Sequence, residues 1–163
     1  MRKLLFAVAG LALFTASCKK EDPIDTSKTR YLMDDYWRLT KSIYIADISN
    51  PLDLGTDVYP DMLPCEKDNF MKFNTPSTFT IYDHYVKCTP GDPDEWAYFW
   101  QLSNNETHLK IFSDPAMPDE TVFLEGDVTY RSIDTFIFTY TTFNEDTEVT
   151  SRTTNTYVKT ANP

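Results

Sequence analysis

From Trp37 onward, the apolar residues of this chain recur at every second position rather than every third or fourth. That is the spacing of half-buried strands, not of helices. Trp37, Leu39, Ile43 and Ile45 share a phase (with Lys41 between them) and alternate with Arg38, Thr40, Ser42 and Tyr44. Phe70 to Phe73 reads as a short strand, and Phe79, Ile81 and Tyr85 alternate with Thr78, Thr80 and His84. Trp96, Tyr98, Trp100 and Leu102 fall on one face. Leu109 and Ile111 follow, then Thr121 to Tyr130 with Gly126 as a candidate break. Phe136, Phe138 and Tyr140 share a face with Ile137 opposite, and Val149 to Lys159 supplies the last strand.

Breakers separate these runs. Pro51, Gly55, Pro60 and Pro64 interrupt a long connection from Ser49, Thr89 to Pro93 is a turn cluster, and Asn104-Asn105 suits a hairpin. The only helical hint is a turn at Glu66 to Asn69. The fold class expected is therefore all-β: about eight strands in an antiparallel up-and-down meander, protected from edge pairing by closing into a barrel. Composition agrees, with 15% aromatic residues and only four glycines, since aromatic side chains favour pleated surfaces and glycine weakens them.

The first residues follow a different pattern. Arg2 and Lys3 precede an uncharged stretch from Leu4 to Ala16, and small residues stand directly before Cys18. This is the three-part layout of a secretory signal, and the stretch is too short for a bilayer core that takes roughly 20 residues to cross. An ordinary secretory signal or a short membrane anchor is the plainer alternative. Leu13 to Cys18 resembles the lipobox of bacterial lipoproteins, although Thr15 stands where the usual leucine would be. The resemblance implies a signal peptide over 1–17 and acyl chains on Cys18. More than one chain matters, because one alone holds only marginally. Lys20-Glu21-Asp22 resembles the signal that sends some Gram-negative lipoproteins to the outer face of the outer membrane. It implies a lipid-anchored protein at the cell surface rather than at the periplasmic face. The bland reading is a merely solvated start to a tether. Polar residues with little to bury make 18–33 a flexible lipidated tether, leaving 34–163 as one domain.

Losing Arg2 and Lys3 with the leader takes the formal charge from −10 to −12. Such acidity argues against nucleic acid and against adhesion to anionic lipid heads. With Cys18 carrying lipid, Cys65 and Cys88 remain, and an even pair in an oxidising exported compartment reads as a disulfide. Zinc is the competing idea because His84 lies four residues before Cys88, but a fourth ligand and paired-cysteine spacing are missing. No nucleophile–base set, metal motif or phosphate-cradling loop is visible. His84 and His108 read as surface or hydrogen-bonded histidines. The acids Asp92, Asp94 and Glu95 lack the layout of a dedicated calcium loop and read as a solvated turn. The expectation is a non-catalytic monomer with no cofactor, no metal and no catalytic residue.

One order of motifs stands out. Trp37-Arg38-Leu39-Thr40 opens the first strand, Cys65-Glu66-Lys67-Asp68-Asn69 precedes Phe73, Trp100 to Asn105 runs into Leu109-Lys110-Ile111, and Ile133 to Phe138 lies near the end. From Tyr36 to Lys159 this resembles the lipocalin-like domain of many bacterial surface lipoproteins, with Asp35 where the family often has glycine. The resemblance implies an eight-stranded barrel and a structural role for Trp37 at its closed end. Two functions follow as expectations. In one, the barrel binds a small apolar or amphipathic ligand or a partner, with Trp96, Tyr98, Trp100, Phe138 and Tyr140 as binding residues. In the other, the core is filled and the loops recognise another cell-envelope protein. Core packing is the plain alternative for every one of those rings.

Overall fold

A computed structural model describes residues 28–33, 35–75 and 77–161. The expected signal peptide, Cys18 and the first part of the expected tether lie outside the described residues. Nine antiparallel strands form one sheet: β1 (Tyr36–Ile45), β2 (Thr56–Asp57), β3 (Phe70–Asn74), β4 (Thr78–Tyr82), β5 (Glu95–Ser103), β6 (His108–Phe112), β7 (Val122–Ser132), β8 (Thr135–Asn144) and β9 (Val149–Thr160). From β3 to β9 each strand pairs with its successor, and β9 returns to β1. The result is a closed eight-stranded up-and-down barrel with β2 as an extra strand, consistent with a lipocalin-like fold. β9 lines one edge of β1 along its length. The other edge is shared, with β3 at Tyr36–Arg38 and β2 at Ile43–Tyr44.

The phase of β1 differs from the sequence expectation. Leu39 pairs with Tyr157 and Lys41 with Thr156, so Thr40 is an extra residue on β1. A bulge of this kind moves every later side chain to the opposite face. Ser42 therefore points inward beside Asn155 and Phe138, its partners across β9 and β8, and is buried. Ile43 and Ile45, expected inside with Trp37, lie outside under the long connection. Gly55 (φ +82°) closes over them, and a Cβ there would stand 2.7 Å from Ile43 Cγ2. The Asp53 carboxylate stitches this connection by accepting N–H bonds from Ala46, Asp47 and Gly55.

One end of the barrel is plugged. The short helix α1 (Lys28–Leu32) lies across it, with Leu32 fully buried and its carbonyl accepting the Trp37 indole N–H at 2.9 Å. The Glu106 carboxylate in the β5–β6 turn accepts the backbone N–H groups of Lys28 (2.7 Å) and Thr29 (3.3 Å). Residues 28–33 thus belong to the folded body and not to the tether, where their polar composition had placed them. Above the plug, Trp37, Phe73, Phe79, Trp100, Phe136 and Phe138 form the core with Leu109, Ile111 and Val128.

The other end carries the longer loops. There α2 (Pro64–Lys67) brings Cys65 to Cys88 of the β4–β5 loop, and the two are bonded with Cα atoms 5.2 Å apart. β4 stops at Tyr82, short of the expected Tyr85. Tyr85 and Val86 instead donate their N–H groups to Asp68 Oδ2, each at 3.0 Å, which pulls His84 out of the strand. Its ring packs edge-on against Phe70, 4.8 Å between centroids.

Candidate functional site

All five aromatic residues singled out from sequence lie on the inner face of the barrel, but at different depths. Trp100 is buried near the plug, its indole N–H donating to Asn74 C=O at 3.2 Å and its ring edge-on to Phe73. Phe138 is buried in the middle, with its ring 5.6 Å from that of Tyr140. Trp96, Tyr98 and Tyr140 are half-buried towards the loop end. The structure therefore brings three of the five near the barrel mouth and gives the other two to the core.

Phe123 stands at that mouth. It is the extra residue of a bulge, because Ile111 pairs with Leu124 and Phe112 with Val122. Freed from the ladder, its ring stacks on Tyr98. The space beneath is small: a cavity of about 70 Å³ between Phe73, Phe79, Ile111, Phe138 and Phe123. A second recess of about 130 Å³ opens where β1 and β3 part, between Leu39, Asn69, Phe70 and Tyr157. Drug-sized ligands occupy roughly 300–1,000 Å³, so neither space holds one without rearrangement. A polar patch interrupts the apolar interior. Asn155 Nδ2 donates to the Tyr157 hydroxyl at 3.2 Å, while Asn155 Oδ1 is buried without a partner. Burial pushes the Tyr157 hydroxyl up to about 12.

Outside the barrel, the loop end is apolar in an unusual degree. Leu52, Leu54 and Leu63 of the β1–β3 connection, Tyr85 of the β4–β5 loop, Phe123 and Phe143 are all more than half exposed. Among the described residues, only Ile133, in the β7–β8 turn, is comparably exposed at the plugged end. Periodicity does not mark Leu52, Leu54, Leu63 and Tyr85, which sit in connections with no regular pattern, while Phe123 stands at a bulge of β7 and Phe143 in the part of β8 that β7 does not pair.

The sheet also parts near this end. β8 pairs with β9 from Thr135 to Asn144, but with β7 only from Thr135 to Thr139. Gly126 marks the divergence: a Cβ there would lie 2.2 Å from the Thr139 carbonyl oxygen. Beyond it, Val122–Gly126 of β7 have no partner on β8, and Tyr140–Asn144 of β8 have none on β7. The resulting cleft, about 550 Å³, is lined by His108, Glu125, Asp127, Thr139, Thr141 and Arg152 among others. His108 of β6 reaches over the β7 wall, with Nδ1 at 2.9 Å from Asp127 and Nε2 at 2.9 Å from Glu125. Those hydrogen bonds, Asp127 first and then Glu125, raise the His108 pKa.

Elsewhere on the barrel, the acids weighed for calcium are partly engaged, since Asp94 pairs with Lys87 at 2.6 Å. No protein-family model matches this chain, and no curated protein matches it.

Proposed function

We propose that this chain is a lipid-anchored, non-catalytic binding module that holds a cell-envelope protein at the loop end of a filled lipocalin-like barrel. The carrying observation is the placement of exposed apolar side chains at the end opposite α1. Exposed apolar side chains gathered at one end of a domain are candidates for contact with a partner, since large exposed apolar patches mark interaction sites. The chain leaves the barrel for its amino terminus through α1, so an anchor at Cys18 would sit below the plugged end and turn the apolar end away from the outer membrane. Lys20-Glu21-Asp22 supports display at the cell surface. The state of the two histidines supports a binding rather than a chemical role, since His108 is held between two carboxylates and His84 against rings.

The test uses the full chain in its native envelope, with crosslinking before extraction. Leu54→Asp combined with Tyr85→Asp should abolish a crosslinked adduct that Ile133→Asp leaves intact. An adduct indifferent to both changes, or absent from wild type, would overturn the reading.

A small-ligand reading is favoured by one observation, the unpartnered Asn155 Oδ1 in the barrel interior. Native mass measurement of the purified protein decides it: a bound small molecule lost in Asn155→Leu supports that reading, and the bare mass alone removes it.

A further inference from the structure

We infer that the cleft between β7 and β8 is a strand-addition site, where an extended basic segment of a partner protein pairs along the free edge of β8. The inference rests on the partner-binding reading above and names the chemistry of the partner and its mode of binding.

Backbone directions follow from the ladder. Val128 donates its N–H to Thr107 C=O on the β6 side, at 2.7 Å. Backbone groups alternate sides along a strand, so Asp127 turns its N–H and C=O towards β8, and its partner Thr139 turns towards β7. The same alternation continues past the point of divergence. Glu125 on one wall, and Thr141 and Phe143 on the other, direct backbone donors and acceptors into the cleft with no strand opposite. The Ser151 hydroxyl donates to Thr142 C=O, which shows Thr142 facing β9 instead. From Thr141 to Asn144 both faces of β8 are exposed as well as its edge. An edge of this kind is a template for a further strand. Five residues at about 3.4 Å each give a pairing length of roughly 17 Å.

Charge selects the occupant. Glu125 lines the β7 wall, Asp119 and Glu120 stand in the loop that leads into β7, and Glu145, Asp146 and Glu148 lie in the turn that follows β8. Against these stand Arg152, His108 and Lys110, the last already 2.6 Å from Asp119. A second copy of this chain would bring the same acidic rim edge to edge, and like charges in apposition suppress such pairing. A segment with lysine or arginine at alternate positions meets no such penalty.

The test uses the folded chain and two capped heptapeptides, one alternating Lys with Val and one alternating Glu with Val. The Lys peptide should slow hydrogen exchange at Thr141 and Phe143 by at least tenfold and bind at least tenfold more weakly when salt rises from 50 to 500 mM. The Glu peptide should do neither. Exposed-charge reversal at Glu145→Lys, Asp146→Lys and Glu148→Lys should weaken the Lys peptide at least tenfold while the β8–β9 amides keep their native shifts. Thr141→Pro, which removes a donor not used by β9, should abolish protection at Phe143. Equal binding of both peptides overturns the inference, and so does protection confined to the loops around Leu54 and Tyr85, which leaves the partner-binding reading standing. Protection of Thr141 without peptide, rising with protein concentration, overturns it in favour of self-pairing.

Discussion

The Phe123 ring stacks on Tyr98 with centroids 4.7 Å apart and planes 19° from parallel, beside the small cavity of the barrel interior that Phe123 helps to line. Phe123 is more than half exposed, so it contributes as a lid rather than as core. Removing it should lower stability by about 1 kcal/mol, the scale of one aromatic pair. Phe123→Ala should also raise the fluorescence of an apolar dye, with the urea dependence of unfolding unchanged. A loss of several kcal/mol with no gain in dye binding would show that the ring belongs to the core.

The disulfide ties two loops that the strands alone leave independent. Cys65 and Cys88 are 23 residues apart in the chain, a separation for which cross-linking contributes roughly 3 kcal/mol. The double variant Cys65→Ala, Cys88→Ala should still fold, because β3 and β4 pair without it. Its urea midpoint should fall accordingly, and exchange at the Tyr85 and Val86 amides should quicken as Asp68 loses its fixed position. A change below about 1 kcal/mol would mean that the loops are ordered by other contacts.

His108 should make stability depend on pH in one direction. When neutral it can donate to only one of Asp127 and Glu125; when protonated it donates to both. Its pKa is therefore raised above the ordinary 6.5. Stabilisation from a raised group is fully present below the unfolded value and is lost as pH rises through the folded value. The pair is partly exposed, so the effect is on the order of 0.2–1 kcal/mol. Urea unfolding at pH 5.5 and 8.5 should show that loss in wild type and not in His108→Gln. A ring signal titrating at or below 6.5 contradicts it.

Period-two alternation made the strands legible wherever pairing is regular. Trp96 to Leu102 and Phe136 to Tyr140 place their rings inward as their spacing implies. The Cys65–Cys88 pair was legible once Cys18 was set aside for lipid and an oxidising exported compartment was assumed. Thr40 was not: a bulge carries no mark in the pattern of β1, so Ile43 and Ile45 were put on the wrong face. Leu32 was hidden for a different reason. Tyr31, Leu32 and Met33 are too short a run to set a period, and the burial of Leu32 depends on Trp37 of β1 bonding its carbonyl and on Glu106 of the β5–β6 turn holding the start of α1. The divergence of β7 from β8 is likewise a property of pairing between strands. Gly126 reads in the sequence as a candidate break, yet β7 runs through it unbroken from Val122 to Ser132, and only the approach of the Thr139 carbonyl shows what the glycine permits.

The closed ladder has a mechanical consequence. A pull on the amino-terminal side enters the barrel through α1 at the foot of β1, while a load on the free edge of β8 enters near the opposite rim. Both forces then run along the strands, and β1, β9 and β8 are joined through almost their full lengths. Ladder bonds lie perpendicular to the strands, so they carry such a load together in shear instead of parting one after another. A barrel with this connectivity acts as a clamp between whatever holds its base and whatever grips its rim.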